Sequence, residues 1–140
     1  MKIEGFKDID YAKEPRAVLK RYLEKWEKRK WAGMVKDTQK SWVLAMPDPE
    51  EMLKAIFSYK PVAAKLVREA MISNVAYAAI LDVKYQIARG VTADVQFDAR
   101  VICEIDQLMP SPNGDWGVNP PSLTPTMGIG YKNDKAENRC

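Results

Sequence analysis

Five prolines (Pro110, Pro112, Pro120, Pro121 and Pro125) and the glycines Gly114, Gly117, Gly128 and Gly130 fall in the last thirty or so residues. Proline removes a backbone donor and glycine weakens helix, so this density excludes regular helix there. That stretch still holds Trp116, Val118, Leu123, Met127, Ile129 and Tyr131, more apolar anchors than a bare linker requires. Residues 111–140 are therefore expected to form an extended arm that packs on its own domain or on a neighbour. Trp116, Leu123, Met127 and Tyr131 are its candidate partner-binding residues.

The rest reads as a single helical domain over 15–110, preceded by a polar leader over 1–14. Pro15 suits a first helical turn, and Val18, Leu19, Tyr22, Leu23 and Trp26 follow at helical spacing. That helix is expected to end near Ala32-Gly33. A shorter helix over Met34–Met46 completes a basic pair over 15–46, with a strand over Trp42–Met46 as the alternative. Met46-Pro47-Asp48-Pro49 breaks the chain. Asp48 and Glu51 then have capping-box spacing with Pro49 at the first helical position. Met52, Leu53, Ile56 and Phe57 supply the buried face of the helix they open.

Core helices are expected over 48–109. From Lys60-Pro61 the apolar residues Val62, Leu66, Val67, Ala70, Met71, Val75, Ala78, Ile80 and Leu81 run on to Arg89-Gly90, a suitable helix stop. This predicts one long, alanine-rich central helix. Two patterns then collide. Val95, Phe97, Ala99, Val101, Cys103 and Ile105 alternate with mostly polar residues, as in a strand. Thr92 nevertheless suits a helix N-cap, and Val95, Ala99, Ile102 and Met109 share a helical face. Helix is preferred because its neighbours read as helical. The fold class is thus mainly α, with an α+β fold carrying a strand at 95–106 as the alternative.

No histidine occurs, which removes Ser–His and Cys–His nucleophile pairs, His-ligated metals and the commonest general base. Two cysteines cannot build a four-sulfur zinc site. Cys103, among Val101, Ile102 and Ile105, reads as a small buried apolar residue. The pair Glu50 and Glu51 fits a helix first turn, and Gly128-Ile129-Gly130 lacks a phosphate-loop ending. No enzyme activity, cofactor or metal is expected. The two separated cysteines, the charged first residues and an apolar maximum of only Val75 to Leu81 point to a reduced, cytoplasmic protein without a membrane span.

Charge is uneven. Residues 1–40 hold twelve Lys/Arg against seven Asp/Glu, whereas the whole chain carries only +3. The cations interleave with Tyr22, Trp26, Trp31 and Trp42. Clustered cations suit phosphate, so double-stranded DNA is the expected ligand of this segment. The paired helices have a helix-turn-helix outline, with Lys36, Thr38, Gln39 and Lys40 opening the second helix. Arg21, Lys25, Lys28 and Arg29 join them as candidate nucleic-acid contacts.

In its order of parts the chain resembles a phage small terminase subunit, on residues Lys36 to Leu44 and Ala63 through Gly90 to Asp106. The resemblance implies a ring-forming homo-oligomer, in host cytoplasm or virion, that recognises viral DNA and hands it to a packaging motor. Lys36, Thr38, Gln39 and Lys40 would then meet DNA, the long helix would make ring contacts, and the arm would meet another assembly protein. A virion, connector or scaffold subunit making only protein contacts is the alternative function.

Overall fold

A computed structural model describes residues 1–105 and 109–124. It corrects the mainly helical expectation: the chain is mixed α/β, built on a curled five-stranded sheet in the order β1-β2-β3-β4-β5. Strand β1 spans Lys2–Glu4, β2 Lys60–Ser73, β3 Ala76–Ala88, β4 Val91–Glu104 and β5 Asp115–Val118. Between β1 and β2 lie helices α1 (Lys13–Glu27), α2 (Trp31–Lys36), α3 (Lys40–Ala45) and α4 (Pro49–Ile56). A short 3-10 turn over Pro120–Leu123 follows β5. Strand β1 joins β2 in parallel, and every other pair is antiparallel.

The expected central helix is the hairpin β2–β3, and the segment 95–106, expected as helix, falls largely in β4. Two-residue turns at Asn74-Val75 and Arg89-Gly90 connect the three strands. Gly90 has φ 73°, so it serves a hairpin turn rather than a helix stop. In β3 the buried residues Tyr77, Ala79, Leu81, Val83 and Tyr85 alternate strictly, and Val95, Phe97, Ala99, Val101 and Cys103 do so in β4.

Strand β2 mimics a helix in sequence because its register slips three times. The pairing skips Val62, Val67 and Ile72, which breaks the period of two. Such bulges bend a strand and increase its twist, and the sheet curls here. Alanines at 63, 64, 70, 76, 78 and 79 add helix propensity to the same stretch.

The curl gives α1 a surface to fill. Val18, Leu19, Tyr22, Leu23 and Trp26 are buried against the inward residues of β2, β3 and β4, with Met34, Leu53 and Phe57 closing the layer. Trp26 lies 4.9 Å from Phe57 and 5.6 Å from Tyr85, ring centre to ring centre. Its indole donates to the carbonyls of Phe57 and Tyr59, both at 3.1 Å, so the largest core side chain leaves no orphan donor. Helix α4 starts as expected: the Asp48 carboxylate accepts from the Glu51 amide at 3.2 Å, and Pro49 is its first residue.

One polar cluster crosses this core. The slip at Val67 turns Glu69 to the helical side, in register with Ala79. Arg16, 3% exposed, grips it with Nε to Oε1 at 2.9 Å and Nη2 to Oε2 at 2.8 Å. Tyr77 donates to the same carboxylate at 2.7 Å. Arg16 also donates to the carbonyls of Ile9 and Tyr11, tying the leader to α1. Removing the acid would leave a buried guanidinium facing Tyr77. Glu69→Ala is expected to lower unfolding free energy by about 3 kcal/mol in urea titration.

The described part of the arm belongs to the same sheet. β5 pairs with β4, Val118 and Leu123 are fully buried, and Trp116 packs against the core. The segment 37–39 covers the outer edge of β5: the Val118 amide donates to Asp37 and the Gln39 amide to Val118, each at 2.8 Å.

Candidate functional site

The basic N-terminal segment carries most of the candidate residues, and α1 decides which of them face water. At 100° per residue, Lys20, Arg21, Glu24, Lys25 and Lys28 share an arc of about 140° opposite the apolar stripe. Helix α1 stops at Glu27, earlier than expected, because Arg29 takes a left-handed turn (φ 57°). Its guanidinium donates to the carbonyls of Phe57 and Ser58 at 3.1 and 3.0 Å and sits over the Trp31 ring at 5.4 Å. Arg29 therefore closes the core at this corner.

Helix α2 then runs back beside α1 and delivers Asp37. Its carboxylate receives Lys25 Nζ at 2.8 Å and Arg21 Nη2 at 3.0 Å, while Lys25 also donates to the Gly33 carbonyl at 3.2 Å. Burial works against the Asp37 charge, yet the hydrogen bonds from Arg21 and Lys25 outweigh it and hold the carboxyl below the usual carboxylate range. Two of the expected DNA-binding cations are thus engaged with an internal acid.

The expected recognition segment is also internal. Helices α2 and α3 hold six residues each, and Thr38 lies buried between them. Thr38 Oγ1 donates to the Met34 carbonyl at 2.7 Å and so accepts from the Tyr22 hydroxyl at 2.8 Å. Burial pushes the Tyr22 phenol well above its ordinary range. Gln39 donates to Glu104 at 2.7 Å and accepts from Asn119 at 2.8 Å. The buried Glu104 also takes the Ser41 amide at 2.9 Å and hydroxyl at 3.0 Å, so a carboxylate without a cationic partner among the described residues is satisfied by donors from α3. Thr38 and Gln39 hold the helical layer to the sheet and to β5.

Lys40 pairs with Asp115 at 3.3 Å. It lines a cleft of about 450 Å³ with Glu14, Arg21, Lys36, Asp37, Asp115 and Trp116. Three cations and three acids face that space, so it has no net field for an anion. Among the described residues, Lys20, Lys28, Lys30 and Lys36 are exposed and form no ion pair. Of the expected nucleic-acid-binding residues, Lys28 and Lys36 alone remain exposed and uncommitted among the described residues.

In the arm, Trp116 and Leu123 pack on the chain's own core, and Met127 and Tyr131 lie outside the described residues. Cys103 is buried, which raises its thiol pKa and keeps it a poor nucleophile. The described residues contain no group of three or more acids or cysteines placed to hold a metal ion. No helix among them is long and apolar enough to cross a membrane. No protein-family model matches the chain, and comparison with curated proteins and with solved structures returns no significant match.

Asp37, Glu69, Glu104 and Asp115 are the acids that sequence reasoning missed. Asp37 lies sixteen and twelve residues from its partners, and Gln39 sixty-five from Glu104, so no local spacing announces them. Because Asp37 titrates below its unfolded range, its stabilisation is present above about pH 4 and is lost as pH falls through the lower folded value. Asp37→Asn is expected to cost on the order of 2 kcal/mol at neutral pH and to flatten the acid limb of a stability–pH curve below about pH 4.

Proposed function

We propose that the chain is a non-enzymatic assembly protein, of the DNA-packaging or virion kind, that lies against duplex DNA through a lysine ridge and associates with copies of itself. The observation that carries the nucleic-acid part is the set Lys20, Lys28, Lys30 and Lys36: exposed on α1, the α1–α2 link and α2, and without an acidic partner among the described residues. The engagement of Thr38 and Gln39 inside the fold favours contact with phosphate over readout of bases. Host cytoplasm or the virion is the location this reading implies.

A second reading, a scaffold or connector subunit making only protein contacts, is favoured by a different observation. The helices cover one face of the sheet, and no helix among the described residues covers the other. The long-helix ring contact has no counterpart in a β hairpin, so under either reading self-association falls to the sheet or to the outer helical surface.

Binding of duplex DNA across a salt series separates the two readings. The full chain should bind at about 50 mM salt and weaken steeply as salt rises. Replacing Lys20, Lys28, Lys30 and Lys36 by Gln should flatten the log–log slope by about 0.9 for each phosphate no longer neutralised, with thermal stability unchanged. An absence of binding at low salt removes the nucleic-acid part and leaves the protein-only reading.

A further inference from the structure

The helical layer stops short of one end of the sheet. Helix α1 ends at Glu27, and Trp26 is its last side chain packed against Tyr85. Tyr85 is 6% exposed, but past it the same side of the sheet opens: Ile87 is 44% exposed, Val91 48% and Tyr59 53%. Ile87 follows Tyr85 in the alternation of β3, and Val91 precedes Val95 in that of β4. Tyr59 leads into β2 beside them, its ring 5.8 Å from that of Tyr85. The β3–β4 hairpin runs about 7 Å past the Lys60–Gln86 pair where β2 begins. Three exposed large side chains thus gather at a projecting tip, which is unlike the single apolar residues scattered over ordinary surfaces.

Cations ring this tip. The Trp26 indole and the Arg29 guanidinium donate to the carbonyls of Phe57, Ser58 and Tyr59, which fixes Lys28 and Lys30 on one flank of Tyr59. Lys60 opposes Gln86 at the start of β2, and Arg89 turns the hairpin. Segments 28–31, 57–60 and 86–92, which build this end, hold five cations and no acid. Lys28, Lys30, Lys60 and Arg89 are exposed and form no ion pair with any described residue. The acids next to these segments are matched: Glu27 faces the N-terminal ammonium at 3.6 Å, and Asp94 takes Lys84 at 3.3 Å.

This combination selects a partner. Duplex phosphate would match the cations but leave two aliphatic side chains in water. The headgroup region of an anionic bilayer accepts both, since acidic phosphates attract the basic rim while apolar side chains enter the acyl boundary about 5–10 Å down. Tyr59, and Trp31 beneath the Arg29 guanidinium, are the amphipathic aromatics that favour that depth.

From these observations we infer that the β3–β4 hairpin end is a peripheral docking site for an anionic phospholipid bilayer, with Ile87, Val91 and Tyr59 entering the interface and Lys28, Lys30, Lys60 and Arg89 meeting acidic headgroups. The inference goes beyond the proposed function and shares only Lys28 and Lys30 with the lysine ridge. Variants at Ile87, Val91, Lys60 and Arg89 leave that ridge intact.

The test is co-sedimentation of the full chain with phosphatidylcholine vesicles made with and without phosphatidylserine, with far-UV circular dichroism as the check on folding. The wild type should partition onto the serine-lipid vesicles and bind the neutral ones at least about tenfold less. Lys60→Gln with Arg89→Gln should lower the partition coefficient at least about tenfold, and Ile87→Ser with Val91→Ser should do the same. If the apolar double variant misfolds, the single changes Ile87→Ser and Val91→Ser replace it, each expected to lower partitioning at least about threefold. Duplex DNA binding by these variants should match the wild type. A wild type that ignores anionic vesicles, equal binding to neutral ones, or partitioning unchanged in the folded apolar or charge variants would each overturn the inference. So would an apolar variant that loses DNA binding and keeps its vesicle binding, which would assign the tip to nucleic acid.

Discussion

The packing of α1 into the curl of the sheet is the interaction on which the rest depends. A sheet with long strands needs something against its inner face, and a lone amphipathic helix of this length is marginal in water. Each supplies what the other lacks. Trp26, Tyr22, Leu19 and Leu23 fill the space bounded by Leu81, Val83, Tyr85 and Phe97, and the slips at Val62, Val67 and Ile72 bend β2 around them. The same curvature brings Glu69 under Arg16, so a local defect in one strand creates the polar tie that holds the leader, helix and sheet together.

This arrangement has a functional consequence. The inner face is occupied by the chain's own aromatic side chains, and the cleft of about 450 Å³ beside Asp37 lies outside it, lined by balanced charges. Much of the positive charge that stands out in the first forty residues is consumed by the fold. Arg16 holds Glu69, Arg21 and Lys25 hold Asp37, and Arg29 holds two carbonyls of the α4–β2 link. What remains for partners is a thinner lysine ridge on one side and a bare, charge-patterned sheet on the other.

Local signals in the sequence survive well in the structure. The stripe from Val18 to Trp26, the Asp48–Glu51 cap and the burial of Cys103 depend on near neighbours, and all three hold. The long strands are harder to read. Leu81-Asp82-Val83-Lys84-Tyr85-Gln86 alternates as a strand should, but it follows a bulged β2 whose apolar residues mimic helical spacing and whose alanines favour helix. In β4, Ile102 breaks the alternation because it lies on the outer face next to Ala76, where an apolar residue is still half-covered. A strand at 95–106 looks partnerless from sequence because its true partners are hidden: β3 follows on from the helical disguise of β2, and β5 lies in the Pro/Gly-rich arm. At the candidate site, the sequence displays cations but hides their acids, because Asp37, Glu69 and Glu104 reach their partners across the fold rather than along it.

Every surface assigned above follows from the folding of the chain as a curled sheet around α1. Proton–proton nuclear Overhauser spectroscopy of the Trp26 side chain tests that packing in one experiment. Cross-peaks are expected from the Trp26 indole to the rings of Phe57 and Tyr85, together with cross-strand Hα contacts between β3 and β4. Sequential helical contacts running from residue 62 to residue 89, with none between Trp26 and Tyr85, would contradict it.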